Sequence, residues 1–130
     1  MEWWQRITLD DLAWAPQEGH DGVFVRFLGE SPEAGPPAMH VRFVANHVEP
    51  PHWHNVDTLY VITAGEFVVG TEGVYRVGDV RWVRAGTYYG PETAGPDGCE
   101  FVLAGLSRDG FQLDYNQSTA ARIGSLLPGS

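Results

Sequence analysis

Short runs of alternating apolar and polar residues, broken by glycine and proline, recur along most of this chain. Met39 to Ala45 is the clearest: Met39, Val41, Phe43 and Ala45 fall on one face of a period-two strand. Similar runs are Gly22 to Leu28, Leu59 to Thr63, Glu66 to Val69, Val74 to Val77, Val80 to Val83, Glu100 to Leu106 and Phe111 to Tyr115. Ala64-Gly65, Thr71-Glu72-Gly73 and Gly78-Asp79 read as the turns between them, and Gly29 to Pro37 as a polar loop. About eight short strands with turn signals at this spacing predict an all-β sandwich or barrel. One short helix is predicted before them, from Thr8 to Trp14, with Thr8 as N-cap, Asp10 and Asp11 at the positive end of the dipole, and Pro16 as its stop.

Composition agrees with many turns and few helices. The 130 residues include 16 Gly and 9 Pro, with 43% hydrophobic and 19% charged residues, the balance of one globular domain. No repeat or linker divides it. The expected organisation is an N-terminal segment 1–21, a barrel 22–118 and a tail 119–130. Three of the five tryptophans, Trp3, Trp4 and Trp14, precede the barrel. So short a segment cannot bury three indoles by itself, so they are expected to pack on the barrel wall or across a homodimer.

Charge and residue absences exclude several chemistries. A net charge of −9 argues against nucleic acid or an anionic membrane as partner. All eight basic residues are arginine, which removes lysine Schiff bases and the P-loop lysine. Cys99 is the sole cysteine and reads as a packed thiol at the start of a buried strand. The opening Met1-Glu2-Trp3-Trp4 lacks the features of a signal peptide, and no apolar run is long enough to span a membrane. A soluble, cytoplasmic protein is expected.

Candidate chemistry centres on Pro51-His52-Trp53-His54. Two residues apart on a strand, both imidazoles point the same way, about 7 Å apart at Cα, which suits a transition metal. Further on, Gly78-Asp79 and Ala85-Gly86-Thr87-Tyr88-Tyr89-Gly90-Pro91 make a second glycine-punctuated unit. The pair resembles the two motifs of the cupin family, G-x5-H-x-H-x3,4-E-x6-G and G-x5-P-x-G-x2-H-x3-N, over roughly residues 38–106. The resemblance implies a double-stranded β-helix, the jelly-roll barrel. It also implies one divalent transition metal (Fe, Zn, Cu, Ni or Mn) held by two His and a Glu of the first motif and a His of the second. His52 and His54 match; Thr58 stands at the Glu position and Tyr89 at the second-motif His position.

Asp57 is a possible replacement carboxylate, but His52, His54, Thr58 and Tyr60 share even parity and Asp57 points away unless a bulge shifts the register, so a solvated or loop-bracing role fits it better. Tyr89 is expected on the opposite wall as third metal ligand or, with His54, as a proton-transfer group; its alternative is an aromatic wall residue. Thr58, Tyr60 and Trp82 are the substrate-binding candidates, with core packing the plainer reading for the aromatics. His40 and Arg42 share a strand face; if it is interior, Arg42 could bind a carboxylate or enolate, and if exterior they are surface residues. His20, in a Gly/Asp turn, is expected exposed, and His47 lies in a loop too irregular to orient.

No nucleophile elbow, dinucleotide fingerprint or H-E-x-x-H helix occurs. The resemblance therefore implies a metal-dependent small-molecule enzyme, dioxygenase-like or an isomerase, cyclase or lyase, acting on an organic, aromatic or polyketide-like substrate in the barrel. The alternatives are a metal-free acid–base cupin using His52, His54 and Tyr89, and a non-catalytic binding module.

Overall fold

The computed structural model describes residues 4–29 and 38–106, and the backbone of 113–114. Trp3, most of the polar loop, Tyr115 and the tail 119–130 lie outside the described residues. In chain order the strands are β1 (Ala15–Pro16), β2 (Val23–Leu28), β3 (Ala38–Phe43), β4 (Val48–Glu49), β5 (Trp53–His54), β6 (Thr58–Val69), β7 (Gly73–Tyr75), β8 (Val80–Val83), β9 (Glu92–Gly105) and β10 (Leu113–Asp114). All pairings among them are antiparallel, in the order β1-β2-β3-β9-β6-β7, with β8 on β6 and β4 on β9. A second, two-stranded sheet joins β10 to β5. The molecule is a jelly-roll barrel, as the alternation predicted.

The core lies inside it. Val23 and Val25 of β2, Val41 and Phe43 of β3, Tyr60 and Ile62 of β6, and Phe101 and Leu103 of β9 all point inward and are buried. The aromatic rings of Phe43, Tyr60, Phe67 and Phe101 pack together, with centroids 4.9 to 6.3 Å apart.

Two local expectations are corrected. The N-terminal helix is a single 3-10 turn, Leu9–Asp11; Thr8 makes no side-chain cap, and Pro16 is in β1. That segment lies over the outside of the barrel instead, with Trp14 stacked on the Arg26 guanidinium at 4.0 Å and beside His40 at 4.9 Å. Ala64-Gly65 is not a turn: β6 runs through it, with register shifts against β9 on either side. Gly65 (φ +67°) faces Gly98 (φ +78°) there, and a Cβ on Gly65 would collide with the Gly98 carbonyl. The shifts switch the inward parity of β6 from Tyr60 and Ile62 to Phe67 and Val69, and that of β9 from Glu92 and Ala94 to Cys99, Phe101 and Leu103. Among the described residues no helix is long and apolar enough to cross a membrane.

Candidate functional site

Pro50-Pro51 leads the chain towards β5, and just before that strand His52 forms a reciprocal backbone pair with Tyr89: its N–H donates to the Tyr89 carbonyl at 3.0 Å, and the Tyr89 N–H returns to the His52 carbonyl at 3.1 Å. His52 and His54 are both buried, with ring centroids 5.2 Å apart and planes nearly perpendicular. His52 Nδ1 donates to the Pro50 carbonyl at 2.9 Å, so Nε2 carries the lone pair. Burial lowers the His52 pKa and favours this neutral ring. His54 Nε2 is 3.2 Å from the Tyr60 hydroxyl, which also shares a short hydrogen bond with the hydroxyl of Tyr89.

Against the two phenols packs a buried ion cluster. The Arg81 guanidinium sits over the rings of Tyr89 and Tyr60, at 4.4 and 4.8 Å from their centroids. Outside, it is gripped by Glu72 through two bonds of 2.7 Å, Nε to Oε1 and Nη2 to Oε2. Inside, Nη1 donates to Glu92 Oε2 at 3.1 Å, and the other Glu92 oxygen is 3.6 Å from His52 Nε2. Burial pushes the Glu92 carboxyl up to about 7, with Arg81 and Tyr60 pulling the other way. Burial and the charge of Glu92 push both phenols well above the ordinary tyrosine range, so both are neutral. Burial works against the Arg81 charge, but its bonds to Glu72 and the charge of Glu92 more than offset this.

His52, His54, Tyr60 and Glu92 line one end of a small cavity of about 40 Å³ whose apolar walls include Val23, Val25, Val41, Phe101 and Leu103. Glu49, the cross-strand partner of Glu92, also lines it, together with His20. Glu49 Oε1 gathers His20 Nδ1 at 3.4 Å and His47 Nε2 at 3.6 Å. The lining is thus mostly apolar, with a few polar groups gathered around it.

The structure therefore brings His52, His54 and Tyr60 together at one cavity end, with Tyr89 reaching it through the Tyr60 hydroxyl. Tyr89 is not on the opposite wall as expected; it is the immediate backbone neighbour of His52. Thr58 is fully buried, but its hydroxyl donates to the Val56 carbonyl at 3.0 Å. Trp82 is on the outer face and 59% exposed, because β8 pairs with β6 in the register that puts Arg81 opposite Tyr60. The residues of β8 that turn inward are Arg81 and Val83, since the ion pairs of Arg81 satisfy a charge there. Asp57 braces a loop as expected, accepting the Ala85 N–H at 2.9 Å. Arg42 is exposed on the exterior, whereas its face-mate His40 is buried, 3.0 Å from Thr63 Oγ1. His20 is half-buried against Glu49, not exposed.

Sequence reasoning missed Glu92, Arg81 and Glu49. The parity of Glu92 with Ala94 was a usable signal for Glu92, but Pro91 and Gly95 disguised the start of β9 as loop. Arg81 between Val80 and Trp82 looked like the polar side of its strand, and nothing nearby in sequence announced Glu92 as its partner.

The motif resemblance implies a metal at this end of the barrel. His52 and His54 offer two converging imidazoles. Thr58 does not extend the set, and Tyr89 is a neutral phenol already bonded to Tyr60. Glu92, the nearest carboxylate, is paired with Arg81. Among the described residues no three His, Cys, Asp or Glu side chains are arranged to hold a metal ion. Two imidazoles beside a buried guanidinium do not fit a metal centre.

Solved structures share the fold. The polyketide cyclase RemF from Streptomyces resistomycificus is 18% identical, with a TM-score of 0.65 over 97% of this chain and 95% of its own. An acetylacetone dioxygenase from Acinetobacter johnsonii is 21% identical, with a TM-score of 0.61 over 82% and 74%. A complex of SigE with the anti-sigma ChrR from Rhodobacter sphaeroides is 22% identical, with a TM-score of 0.62 over 75% and 51%. Among curated proteins none matches this chain. The model of the ChrR cupin-like domain matches residues 5–104, and with a jelly-roll barrel carrying His52 and His54 inside, this chain belongs to that cupin family.

Proposed function

We propose that this protein is a small-molecule enzyme that moves a proton at the carbon beside a carbonyl group, on an apolar organic substrate bound in the barrel. The observation that carries this reading is the Tyr60 hydroxyl. It is placed between His54 and Tyr89 beneath Arg81, at the same cavity end as Glu92 and His52. A neutral phenol backed by a second phenol and a fixed cation is a strong donor to an oxygen on which negative charge develops. A carboxyl titrating near neutrality and a neutral imidazole beside it are suited to take up and return a proton.

In the proposed sequence Glu92 or His52 Nε2 accepts the proton from carbon, and the electron pair of that C–H bond moves into the enolate. Tyr60 donates to the enolate oxygen while Tyr89 donates to Tyr60. The proton then returns at a different carbon, an isomerisation, or the enolate carbon attacks a second carbonyl of the same molecule, whose oxygen receives the proton as its C=O bond opens, a cyclisation. The names of two proteins with this fold support the substrate class, since acetylacetone and polyketides both carry acidic C–H bonds between carbonyls. The metal-dependent alternative rests on His52 and His54 alone, and no step here passes through a metal.

The test is deuterium uptake from D2O into a panel of aryl and cyclic ketones and 1,3-diketones, followed by proton NMR. Wild-type protein should accelerate exchange at one position of at least one compound, and Tyr60→Phe and Glu92→Gln should each reduce this by about 10²-fold or more. Exchange at the buffer rate across the whole panel would overturn the reading.

A further inference from the structure

We propose that the Arg81 guanidinium supplies, as a fixed part of the chain, the positive charge that a bound metal would supply at this site, and that the barrel end excludes divalent metals as a result. The inference concerns the same site as the proposed function but not its reaction, so each can fail alone.

Three observations lead to it. Arg81 is one of the most deeply buried charged side chains described, 3% exposed, and it enters the barrel on a strand whose apolar neighbours Val80 and Trp82 face outward. The inversion of β8 costs two exposed apolar side chains and places a cation inside. Arg81 is also held from both sides, with Glu72 outside through two bonds of 2.7 Å and Glu92 inside at 3.1 Å, which fixes its planar fork over Tyr60 and Tyr89. Finally, the two motif positions that depart from the metal-binding pattern, Thr58 and Tyr89, offer the cavity no anionic donor: one hydroxyl is turned to a backbone carbonyl and the other to a phenol.

These facts have a common electrostatic reason. An ion between His52, His54 and Glu92 would share Glu92 with Arg81 and face its charge across a dry interior, where like charges repel strongly. A guanidinium with its carboxylate already in place needs no such ion. The phenol between His54 and Arg81 then has a permanent guanidinium against its ring face, which favours its donating to an anionic oxygen without coordinating that oxygen. Glu72 has a positioning role here: it does not line the cavity, and it holds Arg81 while also accepting the Tyr75 hydroxyl at 2.7 Å.

The experiment uses the full chain, purified without a tag and stripped with EDTA. It is incubated separately with Zn, Fe(II), Mn, Ni and Cu, desalted, and assayed for metal per chain and melting temperature. Wild-type protein should retain well under one metal per chain and melt unchanged. Retention of one metal per chain, abolished by His52→Ala, would overturn the proposal. Tyr89→His restores the missing imidazole with Arg81 still present and should stay metal-poor. Tyr89→His combined with Arg81→Leu should take up one metal per chain, about an order of magnitude or more tighter. Equal affinity in the two variants would show that the charge of Arg81 is not what excludes metal. If the double variant does not fold, as judged by circular dichroism, the wild-type and Tyr89→His titrations still decide: stoichiometric uptake by either one overturns the proposal.

Discussion

Glu92 is 2% exposed and holds its proton up to about pH 7 in the folded barrel, whereas an unfolded glutamate releases it near 4.5. Between those values the folded state binds more protons, so the stability Glu92 contributes is greatest in acid and falls as pH rises through its folded pKa. His52 and His40 act in the opposite sense. Burial lowers both below 6.5, so the unfolded chain binds more protons, and their contribution is full above 6.5 and lost as pH falls. The two effects oppose each other near neutrality, so the part due to Glu92 is read as a difference between variants. In urea unfolding from about pH 5 to 8 the stability of wild type relative to Glu92→Gln should fall as pH rises; a difference that does not change with pH would place the proton elsewhere. Tyr89→Phe should cost about 1 kcal/mol of stability for one lost hydrogen bond. In the deuterium assay it should slow exchange less than Tyr60→Phe, because Tyr89 reaches the substrate only through Tyr60.

At the scale of elements, the long strands β6 and β9 carry the site because they change parity midway. Before its shift β9 turns Glu92 inward at the polar cavity end; after it, Phe101 and Leu103 build the apolar wall. The glycines at the shift are required by space as well as by φ. A Cβ on Gly98 would be 2.6 Å from the Phe43 carbonyl oxygen, whereas Gly19 has the same φ of +78° and nothing within 4 Å. Gly19→Ala should therefore cost about 1 kcal/mol for the backbone alone, and Gly98→Ala about 2 kcal/mol more for the collision. Chemical denaturation of the pair separates the two causes. Equal losses would mean that β9 can move away from β3 without penalty.

At the scale of the molecule, stability rests on the interior ring cluster. Phe67 is completely buried against Phe43, Tyr60, Tyr75 and Phe101. Phe67→Ala should lower unfolding free energy by about 3–5 kcal/mol. Because Tyr60 packs on that ring, the same variant should loosen the site, visible as weakened exchange catalysis in protein that still folds. A loss below about 1 kcal/mol would mean that the barrel closes over the gap.

The alternation of Val23 with Val25, of Val41 with Phe43 and of Tyr60 with Ile62 was enough to predict an all-β barrel, because period-two burial is a local property of the strand. The same locality made His52 and His54 legible: two residues on one strand share a face whatever surrounds them. It also kept Asp57 out of the site, by parity alone. Where the interior is polar, the local rule failed. Val80 and Trp82 are apolar yet face outward, because Arg81 finds Glu92 and Glu72 only after β6, β8 and β9 have assembled. Glu92 and Glu49 follow the same logic, since each is buried by residues distant in sequence, and the cost of burying a charge depends on partners that no local window contains. Ala64-Gly65 read as a turn because a bulge and a turn both need a glycine at positive φ, and the strand opposite decides between them. The barrel was therefore written into local periodicity, while the charges at its floor were placed by tertiary contacts.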